Sequence, residues 1–129
     1  GETEDDFNET LSFIKEVGKY IERVYPSRTY FAMEEFSYVF DHPEEFNIKT
    51  PFNHHLYWQT KDGSNTYPVR LKRCQKFEEV CKDNGVNVDC GVKTAVLMDE
   101  YFNLGFYYDH EGMYDKAGEY FKKRFVVIK

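Results

Sequence analysis

The chain has 129 residues, a net charge of −6 and an aromatic content of 19%. The length predicts a single domain covering residues 1–129, and the acidic balance argues against nonspecific binding to nucleic acid or to anionic membranes. No apolar run approaches the ~20 residues that a membrane span needs, and no secretory leader is visible. We expect a cytoplasmic protein. Because the chain opens on Gly1 rather than Met, it is expected to be a piece of a longer protein, which leaves secretion open.

The first forty residues predict two helices. Apolar residues recur every three or four positions from about Asp5 to Tyr25, and Pro26 ends this pattern. Ser27 is a suitable cap for a second helix that runs to about Phe40. The side chains expected to face the core are Phe7, Leu11, Ile14, Val17, Ile21 and Val24 in the first helix, and Phe31, Phe36, Val39 and Phe40 in the second.

The middle of the chain predicts a short helical turn, a β-hairpin and a helix. Pro43 opens the turn, which should end by Asn47. Two aromatic-containing runs, residues 54–60 and 66–73, flank an Asp-Gly pair, and this pattern is typical of a hairpin near residues 54–73. Pro68 cannot donate a ladder hydrogen bond, so its strand should lie at an edge. A helix from about Arg73 to Asn84 should follow and end on Gly85.

Residues 98–129 predict two antiparallel helices joined at Gly112, where a positive φ costs glycine nothing. Gly105 and Ala117 are small enough to let the two backbones approach closely. The inner stripe of the second helix is expected to contain Ala117, Tyr120, Phe121 and Phe125. Taken together, the elements predict an α+β fold that is mostly α-helical, with two N-terminal helices, the hairpin and then three helices.

The spacing in this last segment resembles the tetratricopeptide repeat. The family's ladder runs aromatic, Leu-Gly, aromatic, Gly, Tyr, Ala and a large aromatic. These positions are filled here, in the same order, by Tyr101, Leu104, Gly105, Tyr108, Gly112, Tyr114, Ala117 and Phe121. The segment departs from the family at Arg124, where a small residue is usual, and at Lys129, where a proline is common. The resemblance implies a concave helical surface that takes a peptide or a partner's helix, and about three repeats are needed to build one.

Two groups of aromatic residues are candidate partner surfaces. Phe102, Phe106 and Tyr107 lie beyond the stripe that the helical hairpin needs for its own packing, so they are either covered or available to a partner. Tyr57, Trp58 and Arg70 belong to a basic and aromatic segment, residues 57–76, that could hold phosphates and stack bases. The basic side chains of such a segment also commonly form a solvated face, or pair with an acidic helix such as the N-terminal one expected here.

The remaining polar residues do not form a recognisable catalytic or metal site. His54, His55, Cys74, Cys81 and Cys90 are zinc-ligand types, but no pair has the spacing of a zinc knuckle. Cys74 and Cys81 should be about 10 Å apart along one helix, too far for a disulfide. No Ser-His-Asp or Cys-His arrangement with supporting context is visible, so an enzyme is not favoured, and we expect no catalytic residue, metal or cofactor.

These patterns favour a protein–protein interaction module, or a small regulatory or inhibitory binding protein, that uses the surface of its helical hairpin. Its partner would be another protein or a second copy of the chain. One alternative is a small nucleic-acid-binding or nucleic-acid-processing protein that uses the basic aromatic segment. A further alternative is a zinc-stabilised domain.

Overall fold

A computed structural model describes residues 2–26, 32–51, 54–89 and 93–126. The chain forms two compact units, Gly1–Asp89 and Cys90–Lys129. Most of the described residues are helical and the strands are short, so the α+β, mostly helical class is confirmed. That both units belong to one domain stays a prediction.

The first helix, α1, spans Glu4–Val17. It buries Phe7, Leu11 and Ile14, which belong to the expected apolar stripe. A capping box starts it, in which the Asp6 amide donates to Thr3 Oγ1 and the Thr3 amide donates to Asp6. The expected extension to Tyr25 is wrong, because a short 3₁₀ turn, Gly18–Tyr20, replaces the α-helix. Gly18 is buried, and a Cβ there would lie 3.2 Å from Asn84 and Val86, so the chain turns where it meets that segment.

After this turn the chain enters strand β1, Arg23–Val24, which pairs in parallel with strand β4, Asn87–Val88. Val24 therefore keeps its expected place against the core, but as a strand residue. The pairing joins segments that are more than sixty positions apart in the sequence. Periodicity within a single segment cannot reveal such a pairing.

The second N-terminal helix is much shorter than expected, because α2 spans Tyr38–Asp41. Ser37 caps it, with Ser37 Oγ accepting from the Phe40 amide at 3.2 Å. Ser27 and Phe31 lie outside the described residues. Phe36 was expected to face inward but is 90% exposed, and its φ of 66° belongs to a turn rather than to a helix.

A 3₁₀ turn, Pro43–Phe46, follows and ends at Asn47, which confirms the short helical turn expected there. Strand β2, Ile48–Lys49, then pairs antiparallel with strand β3, Gln59–Thr60. The tight turn predicted at the Asp-Gly pair is present, with Gly63 at φ 75°. It does not lead into a second hairpin strand.

The predicted strand over residues 66–73 is wrong, because these residues begin helix α3, Tyr67–Asp83. Thr66 is the N-cap and Pro68 lies in the first turn, where its missing amide hydrogen costs no helical bond and its fixed φ suits the helix. The helix that was expected from Arg73 therefore starts six residues earlier. Its end is as expected, with Gly85 at φ 76°.

Two apolar clusters hold the first unit together. One lies where α1 packs on α3 and the β4 segment, and its buried members are Phe7, Leu11, Ile14, Val80, Cys81 and Val86. The other lies around β2 and the segments beside it, and its buried members are Met33, Ile48 and Trp58. Val39 and Phe40 of α2 pack against the second cluster, as their spacing predicted.

The second unit is a helical hairpin, in which α4, Lys93–His110, packs closely against α5, Tyr114–Val126. Gly112 has a φ of 75°, and the Met113 amide donates to the Tyr108 carbonyl at 2.8 Å, which closes the helix end as predicted. A Cβ on Gly105 would lie 2.6 Å from the Phe121 ring, so the close approach predicted at this glycine is confirmed.

Candidate functional site

The hairpin unit carries a row of aromatic side chains along α4, formed by Phe102, Phe106 and His110. These residues are four positions apart, so they follow one another along the helix surface. The rings of Phe102 and Phe106 are stacked with centroids 6.4 Å apart, and the rings of Phe106 and His110 are 4.2 Å apart. We call these three residues the aromatic row. Phe102 is 41% exposed, which makes it the most accessible apolar member.

Two residues of α5 fix the position of Phe102. The Phe121 ring lies 6.2 Å from the Phe102 ring, and the Arg124 guanidinium carbon lies 4.8 Å from its centroid. Phe125 was expected in the inner stripe, but it is 66% exposed. On a helix of 3.6 residues per turn each four-residue step turns about 40°, so Phe125 lies about 80° around α5 from Ala117 and has rotated away. Arg124, seven residues from Ala117, lies only about 20° from it, on the side opposite to Phe121.

Two further cations lie over aromatic rings of the hairpin. Lys116 Nζ is 4.1 Å from the centroid of Tyr108, and Lys123 Nζ is 4.7 Å from the centroid of Tyr120. With Arg124, these contacts give α5 a set of positive charges beside aromatic surface. The hairpin therefore places Arg124 against the exposed Phe102, and Lys116 and Lys123 against the Tyr108 and Tyr120 rings.

Tyr107 does not join the aromatic row. It is five residues from Phe102, a rotation of about 140° around the helix, and it is 7% exposed. Its ring is perpendicular to that of Tyr108, with the centroids 5.3 Å apart. The structure thus brings Phe102 and Phe106 together and separates them from Tyr107.

The other predicted surface residues, Tyr57, Trp58 and Arg70, lie together in the first unit but are buried. The Arg70 guanidinium carbon stacks 3.9 Å from the Trp58 ring centroid. Its Nη1 donates to Asn65 Oδ1 at 3.1 Å, and its Nη2 donates to the Leu56 carbonyl at 2.7 Å. Trp58 is 5% exposed, so it offers little ring surface on which a base could stack.

Tyr57 is buried beside a second tyrosine. Its ring meets the Tyr67 ring edge to face, with centroids 5.3 Å apart. Burial raises the pKa of the Tyr57 phenol, and the neighbouring Tyr67 raises it further. Tyr57 is therefore neutral at physiological pH and acts as part of the core.

A cavity of about 590 Å³ opens beside Trp58 and Arg70, between the two apolar clusters of the first unit. One face of α3 forms a wall of it, with Arg70, Arg73, Cys74 and Phe77 at helical spacing. We call it the arginine cavity. Its other lining residues come from the N-terminal segment, α1, α2 and the β2 and β3 region: Glu2, Phe7, Thr10, Val39, Phe46, Ile48, Trp58, Thr60 and Asn65.

Arg73 connects this cavity to the start of the chain. Its Nε and Nη2 donate to Glu4 Oε2 at 3.3 and 3.0 Å, and its Nη1 donates to Glu2 Oε2 at 3.3 Å. An acidic N-terminal helix is one of the partners that the sequence suggests for the basic residues, and the Arg73–Glu4 pair confirms it. The cavity is not visible in the sequence, because it depends on where two clusters meet in three dimensions.

Within the described part of the chain, no group of three or more His, Cys, Asp or Glu residues is arranged to hold a metal ion. Cys74 and Cys81 both lie on α3, and Cys90 lies outside the described residues. Among the described helices, none is long and apolar enough to cross a membrane.

Comparisons with protein-family models, with curated proteins and with solved structures found no match for this chain. The resemblance of residues 98–129 to the tetratricopeptide repeat therefore stays a prediction.

Proposed function

We propose that this protein is a protein–protein interaction module, of the regulatory or inhibitory kind, that binds its partner through the aromatic row. The observation that supports this proposal is the state of Phe102. Its ring is 41% exposed, yet Phe121 and Arg124 hold it in place. An aromatic side chain that is exposed but already ordered loses little conformational entropy on binding, which is typical of an interface anchor.

The chemistry beside Phe102 also restricts the partner. Arg124 places a positive charge 4.8 Å from the centroid of the Phe102 ring. A complementary surface would present an apolar side chain to Phe102 and a carboxylate to Arg124. We propose an amphipathic helix with acidic flanks as the partner element, because a helix can supply both on neighbouring turns.

The tetratricopeptide resemblance supports the same binding mode. A single hairpin cannot form the family's concave groove, since about three repeats are needed. A partner helix added alongside α4 would supply the missing neighbour and would cover the aromatic row. A second copy of the chain could act in the same way, and this is the homotypic form of the proposal.

The test is photo-crosslinking from position 102. A photoreactive phenylalanine analogue at Phe102 should crosslink a defined protein in an extract of the source organism, or a second copy of the chain. The same analogue at Tyr114, an exposed aromatic position in the first turn of α5, is the matched control and should not give that product. Mass spectrometry then identifies the partner.

Affinity capture of the partner from the same extract with variant proteins tests how much binding energy Phe102 contributes. Phe102→Ala should lose the crosslinked partner, because truncating an anchor costs about 2 kcal/mol or more of binding energy, and Tyr114→Ala should retain it. Nuclease treatment should leave capture unchanged. Equal capture by both variants would contradict the proposal, and capture abolished by nuclease would favour a nucleic-acid-binding protein instead.

A further inference from the structure

The arginine cavity has the size and lining of a small-molecule site. Its volume of about 590 Å³ lies within the ~300–1,000 Å³ range of ligand pockets. Ile48 and Trp58 from one apolar cluster, and Phe7 and Phe77 from the other, supply its apolar surface. An occupant must therefore have an apolar body.

The polar part of the lining is dominated by two guanidinium groups. Arg70 and Arg73 are three positions apart on α3, and both residues are less than a tenth exposed. The stacking on Trp58 and the bonds to Asn65 and Leu56 fix the Arg70 guanidinium at the wall. Guanidinium groups form short, directional hydrogen bonds with carboxylates, so this end of the cavity suits an anionic head group.

The chain itself places a carboxylate at this position. Glu2 lines the cavity, and its Oε2 accepts from Arg73 Nη1, while Glu4 occupies Nε and Nη2 of the same guanidinium. The Glu2 side chain is half-exposed, so it is far less constrained than its partner. Arg73 Nη1 also donates to the Glu2 main-chain carbonyl at 3.1 Å. A ligand carboxylate that displaced only the Glu2 carboxylate from Nη1 would exchange one negative charge for another and leave that bond and the Glu4 pair intact.

We propose that the arginine cavity binds a small amphipathic carboxylate, with its anionic head at Arg73 and Arg70 and its apolar tail against Trp58, Ile48 and Phe77. Glu2 is then an internal competitor that occupies the head-group position when no ligand is bound. The exposed lining residues Glu2, Thr10 and Phe46 mark the side from which the ligand enters. This site is built from residues of the first unit and shares none with the aromatic row.

The protein contains its own reporter for this proposal. Trp58 is the only tryptophan in the sequence, and it lines the cavity against Arg70. Dodecanoate, titrated below its micelle concentration, should produce a saturable change in tryptophan emission. The neutral analogue 1-dodecanol should bind at least about tenfold more weakly, because it cannot form the charge-assisted hydrogen bonds. Equal affinity for both compounds, or no saturable change, would overturn the proposal.

Two variants test the location of binding. Thr10→Phe should fill the entrance and abolish the dodecanoate response. Ser12→Phe is the matched control, since Thr10 and Ser12 both donate to the carbonyl four residues earlier, but only Thr10 lines the cavity. Dodecanoate binding that is unchanged in Thr10→Phe, with circular dichroism showing a folded protein, would place any ligand elsewhere and refute the assignment.

A third variant tests the competition. Glu2→Gln removes the internal carboxylate and should tighten dodecanoate binding roughly two- to fivefold, the factor that a partly exposed ion pair supports. It should leave the weak binding of 1-dodecanol unchanged. Weaker dodecanoate binding in Glu2→Gln would mean that Glu2 supports the ligand or the fold, and it would overturn the competitor role.

Discussion

Replacing Gly105 with alanine tests how closely α4 and α5 approach. The added Cβ would lie 2.6 to 2.9 Å from three atoms of the Phe121 ring, which is closer than non-bonded carbon atoms pack. Forcing extra volume into such a contact typically costs about 1–3 kcal/mol. Alanine also favours the helix by up to ~1 kcal/mol relative to glycine, which opposes that cost.

Gly118→Ala separates these two contributions. Gly118 lies inside α5, and a Cβ there would meet nothing within 4 Å beyond its chain neighbours and the backbone of its own helix. It should therefore stabilise the protein by about 0.5–1 kcal/mol through helix propensity alone. The difference in free energy of unfolding between Gly105→Ala and Gly118→Ala then isolates the steric cost, which we expect to be about 1–3 kcal/mol.

Urea unfolding followed by far-ultraviolet circular dichroism measures both free energies. In a Phe121→Ala background the ring is absent, so Gly105→Ala should become as favourable as Gly118→Ala. Equal stabilisation by the two single variants would contradict a steric contact at Gly105. A cost of Gly105→Ala that is unchanged in the Phe121→Ala background would contradict it too.

Four further predictions concern the turn, the pH dependence, metals and the aromatic row. Gly112→Val should destabilise the protein by about 1–3 kcal/mol, because a β-branched residue resists a positive φ, and an unchanged Tm would contradict this. The pKa of Asp62 is lowered to about 2 by its side-chain hydrogen bond with Thr60 and by bonds from Ser64. Because this pKa lies below the ordinary value of 3.8, Asp62 stabilises the fold above that pH and loses its contribution as the pH falls towards 2. The Tm difference between wild type and Asp62→Asn, measured against pH, should close over that interval, and a difference that persists at the acid end would contradict the sign. A chelator should leave the Tm unchanged, whereas about one zinc per chain by elemental analysis would favour the zinc-stabilised alternative. Phe106→Ala should weaken partner or self-association more than it changes the Tm, and the reverse pattern would identify a core residue.

The sequence predicted best those features that depend on a few neighbouring residues. Gly85 and Gly112 end their helices with positive φ, and Asn47 ends the 3₁₀ turn that begins at Pro43. Each of these features follows from the local cost of a left-handed backbone or of a missing amide hydrogen. The close approach at Gly105 was predictable for the same reason, since an interior glycine in a helix is costly unless a neighbour needs the space.

The hairpin prediction failed because two local signals conflicted. Aromatic and branched residues around Trp58 and Pro68 have strand propensity, but Thr66 followed by Pro68 is also a helix start. The helix is favoured by what it buries. As a helix, this segment places Arg70, Arg73 and Phe77 on one face, at the cavity wall, and buries Tyr67 and Leu71 beside that face. Strand propensity does not include the burial of these side chains.

The features most relevant to ligand binding could not be predicted from sequence. Arg73 pairs with Glu2 across seventy-one positions, and β1 pairs with β4 across a comparable distance. Neither contact leaves a periodic signal in its own segment. The cavity exists because these contacts set the relative positions of α1, α3 and the β2 region, so it appears only when the chain is folded.

The two proposed sites can be tested independently because each is built from residues of one unit. Phe102 is held by Phe121 and Arg124, whereas the cavity is lined by residues between Glu2 and Phe77. Phe102→Ala should therefore abolish partner capture and leave the dodecanoate response of Trp58 intact. Thr10→Phe should abolish that response and leave crosslinking from position 102 intact. If either variant removed both activities while the protein remained folded, the two sites would not be separate, and one ligand or partner would have to account for both observations.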